Sequence, residues 1–386
     1  FGAFGVDRHL MHPIFQWLDY RYRDYGGFAK VTDDRFIGGF RNRLVAGINI
    51  LNGSIDNQQF ANIGGQKGAL LSSSIDSSRN TSVYVEDSFY FLPNVAAVAG
   101  TQFLYATRNR KDRFLSDGDQ SGSTAFNLWS PKGGLLWQID PTWQAFANVS
   151  RSAEVPSFGE SANGPGIPTI PFTSIRPQRA TTYEIGTRGK RPDVTWELTA
   201  YRAEIKDELL CIYSAFGNCN VTNADRTVHQ GIEAGLGIAL FKNIFVRGDR
   251  ADRLWGNMAY TYNDFRFDND PIFGNNLLPG APRHFVRAEV LYKHPSGFYI
   301  GPNVEWVPQG YFADSANTLS TDAYAIYGLK AGFDDGGKYS GYIEARNIAN
   351  KAYIASSAVI DRATATSPLF EPGTGRAVYA GFKVRW

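Results

Sequence analysis

The chain has 386 residues, and its 39 Lys+Arg against 37 Asp+Glu leave a net charge of +2 with no block of like charge that would mark a nucleic-acid arm or an acidic tail. Its 40 Gly, 20 Tyr, 27 Phe and 8 Trp against 2 Met and 2 Cys suit pleated, half-buried surfaces and not a helix bundle. A mean hydropathy of −0.29, with no run of about 18 uncharged apolar residues, excludes transmembrane helices and leaves the closed antiparallel barrel as the other route through a bilayer. The start, Phe1-Gly-Ala-Phe-Gly, carries no charged n-region or apolar h-region; an export signal has been removed or the real N-terminus lies upstream.

A first strand is expected near Tyr22. From about Leu44 onward, segments of roughly 8 to 13 residues alternate with period two between Gly, Pro, Asn and Asp. Further strand starts fall near Asn80, Val95, Asn127, Trp143, Ala180, Val194, Gln230, Trp255, Arg283, Phe298, Ala323, Tyr339 and Arg376, about fifteen strands in all. Ile232, Ala234, Leu236, Ile238 and Leu240 oppose Glu233 and a run of glycines, and Val286, Ala288, Val290 and Tyr292 oppose Arg287, Glu289 and Lys293. The last segment sets Val378, Ala380, Phe382, Val384 and Trp386 against Tyr379, Gly381, Lys383 and Arg385.

Period two alone does not separate a dry core from a lipid-facing wall. The connections do. Tight joins at Asp140-Pro141-Thr142, Arg191-Pro192-Asp193, His294 to Gly297 and Asp334 to Lys338 alternate with long ones at Ser152–Gln178, Asp207–Val228, Asp268–Pro282, Pro308–Thr321 and Asn350–Gly375, with an intermediate join at Lys242–Arg253. This is the order of a transmembrane antiparallel β-barrel with short periplasmic turns and long extracellular loops. Trp129, Trp137, Trp143, Trp196, Trp255, Trp306 and Trp386 near strand boundaries are expected in interfacial girdles. Cys211 and Cys219 sit in a polar, glycine-containing stretch that reads as a loop, and a disulfide between them is the natural reading, with two free thiols as the alternative. An odd strand count suggests strands missing on the N-terminal side.

Five stretches stand out: Asn148-Val-Ser-Arg151-Ser-Ala-Glu-Val-Pro156-Ser-Phe158-Gly-Glu160; Arg176-Pro-Gln-Arg179-Ala-Thr-Thr-Tyr183-Glu184-Ile-Gly186; Val83-Tyr-Val-Glu-Asp87 with Ala97-Val-Ala-Gly100; Asn347-Ile-Ala-Asn350-Lys351-Ala-Tyr353; and the ending Tyr379-x-Gly381-x-x-Val384-x-Trp386. Together they resemble the TonB-dependent outer-membrane receptors. The last is similar to the assembly signal that the barrel-insertion machinery reads. Leu278-Pro-Gly-Ala-Pro-Arg283 and Phe370-Glu-Pro-Gly-Thr-Gly-Arg376 most resemble the ferric-citrate-type group and the related receptor for pyrroloquinoline quinone.

The resemblance implies an all-β chain, residues 1–386 forming the C-terminal strands of a barrel of about 22 strands. The plug, its TonB-docking box and about seven first strands would lie outside this stretch. It also implies the outer membrane as location, with lipid, a small ligand, the TonB complex through the plug, and the assembly machinery as partners. An open sheet of this kind exposes two unpaired edges, so the stretch alone is not expected to insert as a stable monomer.

Enzymatic constellations are poor. His9-Leu-Met-His12 has ligand-like spacing without a third ligand, and no phosphate loop or Gly-x-Ser-x-Gly elbow occurs, so no metal, cofactor or catalytic residue is assigned. A ferric chelate or a tricarboxylate quinone would favour guanidinium forks and aromatic faces. The ligand-binding candidates by position are Arg151, Arg176 and Arg179 around the largest loop, Tyr213 and Phe216 between the cysteines, Tyr311 and Phe312 after Trp306, and Arg362 in the last loop. Glu184, Arg188, Glu197, Arg287, Glu289, Glu344 and Arg346 read instead as a ladder of ion pairs on the inner wall. Import of an iron chelate is the first expectation; import of the quinone or another non-iron cofactor, a passive porin-like channel and a barrel enzyme are the alternatives.

Overall fold

A computed structural model of the chain describes residues 1–161, 172–213, 219–248, 250–367 and 369–385. Its strands are β1 (Gly2–Pro13), β2 (Gln16–Ile37), β3 (Phe40–Ile63), β4 (Gln66–Leu92), β5 (Val95–Asp112), β6 (Gly122–Asp140), β7 (Trp143–Glu154), β8 (Gln178–Arg191), β9 (Val194–Tyr213) and β10 (Cys219–Lys242). They continue as β11 (Arg253–Phe267), β12 (His284–Lys293), β13 (Phe298–Val307), β14 (Tyr324–Asp334), β15 (Tyr339–Arg346), β16 (Ile354–Ser357), β17 (Phe370–Pro372) and β18 (Ala377–Val384). Sixteen of them form one sheet in the order β1 through β15 and then β18, and β16 pairs with β17 as a separate ribbon inside the last loop. A four-residue helix, Phe158–Ser161, follows β7. The all-β antiparallel expectation holds, with sixteen sheet strands in place of about fifteen.

By internal contacts the chain divides into two compact units. The first comprises Phe1–Leu136, Asn148–Tyr183 and Glu204–Thr227; the second comprises Trp137–Ala147, Glu184–Ala203 and Val228–Trp386.

In the first unit β3 and β4 run 24 and 27 residues, although a tilted strand crosses a bilayer with about 10. The excess forms tall hairpins. Gly38-Gly39 and Gly64-Gly65 close two of them with φ of +60° and +86°, and +57° and +84°, the doubly left-handed pair that a two-residue turn following the twist of its strands requires. The serine-rich run from Ser72 to Ser78 belongs to β4 and carries polar residues on both faces, with Ser73, Ser74 and Asp76 buried and Asp76 paired with Arg110 at 2.8 Å. Without an apolar face this run gives no period-two signal, so the expected start near Asn80 falls short of the strand's beginning at Gln66. β1 was missed for a related reason: Asp7, Arg8, His9 and His12 break its apolar pattern, yet it pairs with β2 from Gly2↔Phe28 to Pro13↔Trp17. The stretch 207–228, expected as a long loop, is mostly strand, since β9 runs to Tyr213 and β10 opens at Cys219.

The second unit keeps the expected alternation. Tight joins at 141–142, 192–193, 294–297 and 335–338, with the intermediate 243–252, contrast with long loops at 268–283, 308–323 and 347–376. Its strands are inside out relative to a soluble protein. Leu236, Ile238, Leu240, Leu329, Ile343, Val378 and Phe382 are exposed, the last at 73%, whereas Asp264 on β11 and Ser340 on β15 are buried. Burial of polar groups beneath an exposed apolar face is what lipid, not water, selects. Among the described residues no helix is long and apolar enough to cross a membrane.

The tryptophans divide. Trp129, Trp137 and Trp306 are exposed, as a girdle requires. Trp255 is a correction: it is buried, with Arg253 and Lys293 over its ring at 5.2 and 5.6 Å and its Nε1 donating to Asn257 Oδ1 at 2.7 Å. The inner glycine Gly237 makes room for it, since a Cβ there would stand 3.1 Å from the indole.

Candidate functional site

Within the second unit the inward residues of β9 to β15 and β18 line a cavity of about 720 Å³. Its chemistry follows from the alternating strands, which send every second side chain inward. Arg287 donates to Glu305 at 2.7 Å, and the Tyr324 hydroxyl reaches the other Glu305 oxygen at 3.3 Å. Glu289 accepts from Asn257 at 2.9 Å and faces Lys330 at 3.7 Å. Glu344 takes both arms of Arg346 and the amide of Asn303, and the Arg346 guanidinium lies 5.0 Å over the Tyr379 ring. Arg287, Glu289, Glu344 and Arg346, named from alternation, are thus paired side chains, and Glu197 lines the same wall. Glu305 and Asn303 were not named, although Glu305 beside outward Trp306 carried the same period-two signal.

At the loop end of this unit three connections are tied into one body. Asp314, wholly buried, accepts from the Thr318 amide at 2.8 Å, the Leu319 amide at 3.1 Å, the Thr318 hydroxyl, and the Ala363 amide of the last loop at 2.9 Å. Ser315 and Ala316 donate to the carbonyls of Ile360 and Asp361. On the other side Asn317 exchanges hydrogen bonds with Leu277 N and O, both at 2.8 Å, and Asn276 donates to Ser315 O at 2.9 Å. Burial would push the Asp314 carboxyl up, but its donors outweigh that and hold it below the usual carboxylate range.

Beneath this knot lies a smaller cavity of about 240 Å³, lined by Tyr311, Phe312, Phe265, Gln309, Asn263 and Arg283 among others. Tyr311 and Phe312 are therefore brought together, with Tyr311 buried and its hydroxyl pushed up by that burial. Arg283, which closes the Leu278 to Arg283 motif, was not named for this role; its guanidinium donates to Tyr262 Oη at 3.2 Å and its buried Nε has no partner. Arg362 is exposed in the last loop.

The remaining candidates belong to the first unit. Arg151 and Arg179 are exposed. Arg176 donates to Asp207 at 2.6 Å, and the Asn223 side chain accepts from its backbone amide and donates to its carbonyl. The segment after β7 is anchored by Pro156, whose carbonyl accepts from buried Arg108 at 2.8 Å. Phe216 and Trp386 lie outside the described residues, as do the side chains of Tyr213 and Cys219; Cys211 is disulfide-bonded. In the final strand Tyr379 faces the large cavity, Gly381 lies under the Tyr342 ring, and Val384 pairs with Tyr339.

An apolar outer face, a paired ionic inner face and long loops knotted at one end define the wall of an outer-membrane β-barrel. The family described as TonB dependent receptor-like, beta-barrel, matches residues 4–348. The chain belongs to this family of outer-membrane receptors. It is 22% identical over 348 residues to the vitamin B12 transporter BtuB of Photobacterium profundum, covering 86% of this chain and 49% of that protein. The ferric citrate transporter FecA in its unliganded form matches with a TM-score of 0.74 at 18% identity, covering 98% of this chain and 57% of that one. The ferric yersiniabactin uptake receptor FyuA of Yersinia pestis matches at 0.70 and 14%, covering 98% and 56%. The chain spans about half the length of these relatives.

Proposed function

We propose that residues 1–386 form one barrel-wall domain of an outer-membrane receptor that imports an iron chelate, coupled in the intact protein to the TonB complex through a plug domain and inserted by the barrel-assembly machinery reading Tyr379, Gly381, Val384 and Trp386. The observation that carries the ligand class is the loop-capped cavity in which Arg283 stands with Tyr311 and Phe312 at the loop end of an ionic wall. A guanidinium beside aromatic faces suits the carboxylate arms and flat rings of ferric chelates. Relatives that transport ferric citrate and take up ferric yersiniabactin support the reading. Arg151, Arg176, Arg179, Tyr213, Phe216 and Arg362 are proposed as further contacts on the loops, and the Cys211–Cys219 disulfide as the brace of the β9–β10 end.

The test is tryptophan quenching of the full-length refolded receptor, titrated in parallel with ferric citrate, pyrroloquinoline quinone and cyanocobalamin. Saturable quenching by ferric citrate is expected, weakened about tenfold or more in Arg283→Ala because a charge-assisted hydrogen bond is lost. Saturation by the quinone or the cobalamin alone would move the function to uptake of a non-iron cofactor, the second reading, which the vitamin B12 relative favours.

A further inference from the structure

On the outer face of the second unit, near the tight turn 335–338, the sheet is not evenly covered. The register places Phe298, Phe333, Gly341 and Phe382 side by side across β13, β14, β15 and β18, so a glycine stands between two phenylalanines. The next row is Ile300, Ala331, Ile343 and Ala380, again large beside small. The missing side chains leave a groove of about 470 Å³ whose walls include Phe333, Ile343 and the stacked pair Tyr339 and Phe382, ring centroids 6.0 Å apart. A flat wall of Leu and Val would leave no such notch.

The turn end of the groove carries a cation. Lys338 is exposed, its Nζ lies 5.5 Å over the Tyr339 ring, and it makes no ion pair among the described residues. The other charges of the turn are engaged: Asp334 binds Arg385 at 2.9 Å, and Asp335 Oδ1 accepts from the Gly337 amide at 2.7 Å. In a barrel of this class the tight turns face the periplasm, so Lys338 stands at the headgroup level of the periplasmic leaflet.

We propose that this groove holds one glycerophospholipid of the periplasmic leaflet, an acyl chain lying over Gly341 and Ala331 and the phosphate on Lys338. The shape selects a chain of methylenes, because each buried methylene gains contact that a flat wall cannot offer. The position of the ammonium selects a phosphate, whose oxygens accept the lysine's hydrogen bonds where water is scarce.

The experiment purifies the full-length receptor from outer membranes in mild detergent, washes it extensively, and measures retained lipid by native mass spectrometry and by phosphate after extraction. Wild type is expected to retain about one phospholipid per chain. Ala331→Phe, which fills the groove, and Lys338→Glu, an exposed change that leaves the wall intact, should each lower retention about tenfold. Heat-modifiable gel mobility verifies that both variants are folded, and ligand quenching should be unchanged in both, which separates this site from the import site. Equal retention in all three proteins overturns the proposal. So does a wild type that retains no phospholipid, retains lipopolysaccharide instead, or appears as a dimer whose second copy covers the groove.

Discussion

Asn347 is a residue whose work is visible only in three dimensions. It is 2% exposed at φ +51°, a conformation that asparagine tolerates better than other non-glycine residues. Its Nδ2 donates to the carbonyls of Lys351 and Thr374 at 2.9 and 3.0 Å while Oδ1 accepts from the Lys351 amide at 2.7 Å. It therefore closes the turn after β15 and fastens the far end of the last loop. Asn347→Ala should cost about 2–3 kcal/mol, since three hydrogen bonds of about 1 kcal/mol each disappear and buried groups lose their partners. Faster protease cleavage between 354 and 376 with barrel mobility retained would confirm this; an unchanged cleavage pattern would refute it. The motif made Asn347 noticeable in the sequence, but nothing in the sequence said that its partner would be Thr374, 27 residues on. Arg283 is similar: its position at the end of a motif was legible, and its place beside Tyr311 was not, because the loop carrying Tyr311 is positioned by bonds to other loops.

At the scale of elements the three loops of the second unit are tied together, Asp314 joining its own loop to the last one and Asn317 joining it to 268–283. The Asp314 carboxyl is held below the ordinary value of 3.8, so the stabilisation it supplies is complete above about pH 4 and is lost as pH falls through the lowered folded value. Pepsin cleavage within 308–323 and 358–369 should accordingly rise only on the acid side of that point. Asp314→Asn imitates the protonated form at neutral pH, and trypsin cleavage after exposed Arg362 should then be about tenfold faster. Identical cleavage of the variant and wild type would dissolve the knot as an explanation. Strands of the second unit were legible because each has one wall in lipid and one in water, which writes period two into them. The tall hairpins of the first unit were not, since Ser72 to Ser78 carry polar residues on both faces, Ser73, Ser74 and Asp76 among them buried, and so write no alternation.

For the whole molecule the decisive property is which face meets lipid. Leu329 lies outward on β14, 46% exposed, flanked by Pro302 and Ala345 in the register. Leu329→Arg should destabilise the receptor folded into lipid vesicles by about 2–4 kcal/mol, the cost of a cation near the bilayer midplane. Lys330, the next residue, faces Glu289 across the inner wall, and Lys330→Arg should leave the same denaturant titration nearly unmoved. Equal effects at the two positions would mean that the faces are assigned wrongly. The sequence by itself determined the class of fold, the two-faced strands, most turns and the family, because alternation and turn residues are local and each strand repeats them. Only the tertiary structure decided the number of strands, the inward place of Trp255, the loop knot around Asp314, the cavity of Arg283 and Tyr311, and the groove at Gly341. Those depend on register and on contacts between segments far apart in the chain, where a residue's role is set by what the neighbouring strand or loop places opposite it.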